Sequence, residues 1–116
     1  MYIQYQKAEE SYQQVLSLKA ENLTANFNLA MLYTDKANFY YREINQMSHE
    51  AYKKLANDYE QKALNLIRKA LPLMEKAEKT SPKNKDILNT LIVYYDRLGM
   101  SFKKREAQQR LSALGG

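Results

Sequence analysis

Apolar residues recur three and four positions apart along almost the whole chain. Over residues 5–20 they are Tyr5, Ala8, Tyr12, Val15 and Leu16, the spacing of one helical face. After a break at 21–24, a second stripe runs through Asn26, Leu29, Ala30, Tyr33, Ala37, Tyr40, Tyr41, Ile44 and Met47. Phe39 lies on the opposite side of that helix. Asn22 or Thr24 is placed to cap it, because either side-chain oxygen can accept a free backbone N–H. Residues 46–48 read as a tight link. Ser48 then caps a third helix with Glu50 in its first turn.

The third helix carries Tyr52, Leu55, Ala56, Tyr59, Ala63, Leu66, Ala70, Leu73 and Ala77. Pro72 lies inside this stripe. The apolar period continues on both sides of it, which predicts a kink rather than an end. Residues 81–84 (Ser-Pro-Lys-Asn) are the stop. A fourth helix begins near Lys85 or Asp86 and carries Leu88, Leu91, Ile92, Tyr95 and Leu98, with Gly99 closing it. Ser101 is expected to cap a fifth, which carries Phe102, Ala107, Leu111 and Leu114. Nothing reads as strand, so the expected fold class is all-α with five helices.

Composition narrows the function classes. With 116 residues there is room for one small domain. Three Gly and two Pro fit few turns and long elements. Ten Tyr suit half-buried seams and binding surfaces. There is no Cys and a single His, His49, so thiolate sites, disulfides and His-cluster metal sites are excluded. No cofactor is expected. His49 falls at the tip of the helical hairpin and reads as a surface residue. No apolar run is long enough to span a membrane, so the chain is expected to be soluble. It starts inside a helix without a cap, which reads as a fragment of something longer. A secretion signal in a longer protein would place it in the periplasm; otherwise the cytoplasm is expected.

The excess positive charge lies in the second half, with Lys103, Lys104, Arg105 and Arg110 on the last helix. That run reads first as a solvated face and dipole complement, and second as a nucleic-acid patch. The carboxylate pairs Asp58/Glu60 and Glu75/Glu78 sit among lysines at helical spacing and read as surface charge, not acid–base catalysis.

Two segments repeat in register. Ala8-x3-Tyr12-x2-Val15-x4-Ala20 aligns with Ala70-x3-Met74-x2-Ala77-x4-Pro82. Six residues later, Asn26-x2-Leu29-Ala30-x2-Tyr33 aligns with Leu88-x2-Leu91-Ile92-x2-Tyr95. This pattern resembles the tetratricopeptide repeat. In that pattern small residues let antiparallel helices approach and large ones fill the gaps between repeats. Asn26 departs from it where a large apolar residue is usual.

The resemblance implies a right-handed superhelix of antiparallel helix pairs. Residues 1–20 would hold the second helix of a truncated repeat, 23–82 a lengthened repeat turning near 46–49, and 84–114 a last repeat with a C-terminal capping helix. Tyr33 and Ala70 are 37 residues apart where the family has nine, so 28 are inserted. Shared between two helices, that adds about four turns to each and projects the hairpin by ~20 Å. The chain is similar to the C-terminal portion of tetratricopeptide proteins from Bacteroidetes-type bacteria that carry such a lengthened repeat.

The resemblance further implies a binding scaffold whose first helices line a groove for a protein or peptide. The groove positions would be Thr24, Phe27, Asn28, Met31 and Asp35, then Asn89, Val93, Asp96 and Arg97. Of the positions that clamp a chaperone-tail carboxylate in the family, only Asn28 fits, so a different partner is implied. A self-association module through Phe39 and Tyr40, forming a homodimer, is the alternative; nucleic-acid binding ranks below both.

Overall fold

A computed structural model describes residues 2–115, with side chains described from Gln4 onward. Five helices follow one another: α1 (Tyr2–Leu18), α2 (Leu23–Gln46), α3 (His49–Thr80), α4 (Lys85–Arg97) and α5 (Ser101–Ala113). Each packs against the next, most extensively α2 against α3. The molecule is a slab of 45 × 34 × 18 Å. Its thin dimension is about two helix diameters. Its radius of gyration, 15.6 Å, exceeds the ~13 Å of a compact chain this long.

Side-chain caps set most helix starts. The Ala25 N–H donates to Asn22 Oδ1 at 2.8 Å, the Ala51 N–H to Ser48 Oγ at 3.2 Å and the Ile87 N–H to Asn84 Oδ1 at 3.1 Å. Ser101 does not cap α5, contrary to expectation. It is the first helical residue, and Met100 stands at the cap position without a side-chain bond. The reason is the compact ending of α4. Gly99 sits at φ +70°, the left-handed region that suits glycine. Its N–H reaches Asp96 O at 3.1 Å and the Met100 N–H reaches Tyr95 O at 2.8 Å, the paired bonds of a Schellman ending. The Met100 carbonyl then accepts the Lys104 N–H at 3.0 Å. One residue closes α4 and opens α5, which leaves no room for a capping serine before it.

α3 runs unbroken through Pro72. Proline has no N–H, so the Arg68 carbonyl lacks its helical donor there. The core is a row of small and large residues between layers: Ala30, Ala37, Ala63, Ala70 and Ala77, filled by Leu29, Tyr33, Ile67, Met74, Ile87, Leu91, Tyr94 and Tyr95. Alanines at these positions let α2 and α3 approach along their length.

Among the described residues Asn26 is the one buried polar side chain. Its Nδ2 donates to the carbonyls of Ala20 and Asn22, both at 3.0 Å. The amide fastens the α1–α2 link to the start of α2, work that an apolar residue at this position cannot do. Its Oδ1 has no protein partner.

α2 and α4 repeat each other at an interval of 62 residues. Their first residues are Leu23 and Lys85, and their capping asparagines are Asn22 and Asn84. Ala25, Asn26, Leu29 and Tyr33 are buried, and so are Ile87, Leu88, Leu91 and Tyr95.

Candidate functional site

α2 and α4 are tied side by side by Tyr94, which is fully buried. Its hydroxyl hydrogen-bonds the Thr34 hydroxyl and lies 3.5 Å from the Ala30 carbonyl. Burial pushes the phenol up to about 12; the Asp35 carboxylate adds to the rise, and the Thr34 bond opposes it. One turn further along, the Arg97 guanidinium stacks 4.1 Å from the centre of the Tyr41 ring. Burial raises the Tyr41 phenol, while Arg97 pulls it down.

This joint fixes where the expected groove residues lie. Phe27 and Met31 precede Thr34 at helical spacing on α2 and are half-buried, packed against the core. Asn28 is half-buried, and Thr24 and Asp35 are exposed. On α4, Val93 is 51% exposed. It stands one helical turn from both Asn89 and Arg97, each exposed. Phe27 and Met31 of α2 and Val93 of α4 thus stand on two helices that Tyr94 joins. Asp96 is exposed too, and Lys104 of α5 donates to its Oδ1 at 2.8 Å. That lysine holds the Asp96 carboxyl below its ordinary range.

Thr34, Tyr41 and Tyr94 were absent from the sequence-based set. The signal was present in α4, where Ile87, Leu91, Tyr94 and Leu98 form a second stripe beside the one ending in Tyr95. Two faces of α4 are buried because one meets α2 and the other meets α3 and α5.

The charges of α5 are engaged. Arg110 donates to both oxygens of Glu78, at 2.9 and 3.2 Å. Lys103 lies 3.6 Å from Glu75. With Lys104 on Asp96, three of the four cations of the basic run face a carboxylate, and Arg105 is exposed. His49 is exposed at the hairpin tip. Among the described residues no group of three or more His, Asp or Glu could hold a metal ion, and no helix is long and apolar enough to cross a membrane.

The two residues expected to serve self-association lie together on the projecting hairpin. Phe39 is 46% exposed and meets the half-buried Tyr40 edge-on at 5.8 Å between ring centres. Tyr40 in turn meets Tyr59 of α3 at 5.4 Å.

No protein-family model matches the chain, and no curated protein is significantly similar to it.

Proposed function

We propose that this chain is a non-catalytic, tetratricopeptide-type scaffold that holds a protein or peptide segment in the trough between α2 and α4. One observation carries the reading. Phe27, Met31 and Val93 put apolar surface along neighbouring faces of two helices that Tyr94 locks together. Asn28, Asn89 and Asp35 beside them offer polar partners for a peptide backbone. The recurrence of caps and buried positions at 62 residues supports the repeat reading. The groove needs no catalytic group to work: rigid helices present a fixed row of side chains, so little ordering cost falls on the scaffold.

The test is selection of short peptides on the whole chain, followed by titration against the Phe27→Asp, Met31→Asp double variant. Placing two carboxylates there should weaken binding by at least about tenfold, the size of a hot-spot loss, and Val93→Asp, at an exposed position, should weaken it likewise with helicity unchanged. Equal affinity for variant and parent would remove the groove reading.

A further inference from the structure

α4 and α5 are each 13 residues long, yet they are held differently. α4 buries Ile87, Leu88, Leu91, Tyr94 and Tyr95. α5 buries Ala107 alone. Leu111 is half-buried and Phe102 is 67% exposed. Removing apolar area from water is the main force that keeps a helix on a core, and α5 has little of it. Met100, at its start, makes no side-chain bond that would anchor the junction.

Charge takes the place of apolar contact. α5 faces α3 across a cleft of about 360 Å³ whose walls carry three carboxylates, three cations and Tyr95. Arg110 spans it with two nitrogens on Glu78, whose side chain is only 18% exposed. Lys103 reaches Glu75, which also accepts the Tyr95 hydroxyl. Lys104 ties the same helix to Asp96 near the end of α4. One exposed pair is worth up to about fivefold in an equilibrium. Three together, one of them bidentate, are a large part of what holds a helix with a single buried alanine. Gly99, at φ +70°, has open space on its side-chain side, so the link can turn there without a clash.

We infer that α5 is an ionically latched cap, which swings away about the Gly99–Met100 junction while α1–α4 stay folded. Opening uncovers the Tyr95 ring, over which Lys103 lies at 5.9 Å from its centre, and releases Glu75 and Glu78 to solvent. Ionic strength sets the balance. Exposed charges act over about 30 Å in ~0.01 M salt and over about 3 Å in ~1 M, whereas the apolar packing of α2 on α3 is not weakened by screening. The inference is independent of the α2–α4 trough.

Amide hydrogen exchange of the whole chain in ~0.01 M and ~1 M sodium chloride tests this. Residues 101–113 should exchange faster than the buried stretches of α2 and α3. High salt should speed them by about tenfold more, with α2 and α3 holding their rates. Arg110→Gln should speed α5 by about threefold to fivefold in low salt and shrink the salt effect. Arg105→Gln removes one charge from an exposed position of the same helix and should leave α5 close to the parent. An α5 that exchanges as slowly as α2 and α3 at both salt concentrations would overturn the inference, because it would then open only with the whole fold. So would α5 rates indifferent to salt, or an Arg110→Gln variant no faster than Arg105→Gln.

Discussion

Tyr33 and Tyr95, 62 positions apart, hold the same place in two successive helix pairs. The Tyr33 hydroxyl donates to Glu9 Oε2 on the preceding helix at 2.6 Å, and the Tyr95 hydroxyl donates to Glu75 Oε2 on its preceding helix at 2.7 Å. Each ring also has a lysine of the following helix over it: Lys69 at 5.8 Å from Tyr33 and Lys103 at 5.9 Å from Tyr95. Each tyrosine thus joins three consecutive helices. Burial, then the carboxylate beside each hydroxyl, raises both phenols. Tyr33→Phe and Tyr95→Phe should each destabilise the fold by about 1.5–3 kcal/mol, the range for a bond to a charged acceptor. Urea denaturation would show it, and similar losses at the two sites are expected from their equivalence.

Asn26 supports the fold through hydrogen bonds where the repeat pattern expects apolar bulk. Asn26→Leu fills the space but leaves the Ala20 and Asn22 carbonyls without their donor, so it should cost about 1–3 kcal/mol. A melting temperature lower by several degrees would register that loss. A variant as stable as the parent would show that the amide pin is dispensable.

Pro72 works against α3. Pro72→Ala restores a donor for the Arg68 carbonyl at an exposed position, and helix interiors disfavour proline by about 3 kcal/mol. The substitution should raise the melting temperature. A fall instead would mean that packing on α2 requires the geometry proline imposes.

Alkaline pH should unfold the protein in a defined window. The Tyr5 and Tyr94 phenols are both raised from 10.0 to about 12, chiefly by burial. A raised pKa means that the folded state holds the proton more tightly. The stability this linkage adds is complete below pH 10 and lost as pH rises towards 12. Phenolate absorbance and helicity followed together should show that these groups ionise as the helices melt. Tyr94→Phe should reduce the steepness of the stability loss in that window.

Much of the architecture was legible because α2 and α3 announce themselves twice, by period and by cap. Asn22 and Ser48 sit before apolar stripes and accept from the helix they start. The α2–α4 joint was only partly legible. Tyr94 stands next to Tyr95, and a single-stripe reading of α4 keeps one of them. Only the position of α2 shows that the other face is covered too. The partner of Asp96 was not legible for a related reason: Lys104 lies beyond a Gly99 turn whose geometry a stripe does not encode. The Met100 junction was missed because its bonds are backbone to backbone, so its side chain gives no sign of them.

The measurement that tests the central claim most directly is hydrogen exchange of the whole chain with and without a selected peptide. Binding in the trough predicts slowed exchange along residues 24–35 of α2 and 86–97 of α4, with the hairpin tip around 46–49 unaffected. Protection confined to that tip or to α5, with α2 and α4 unchanged, would contradict it.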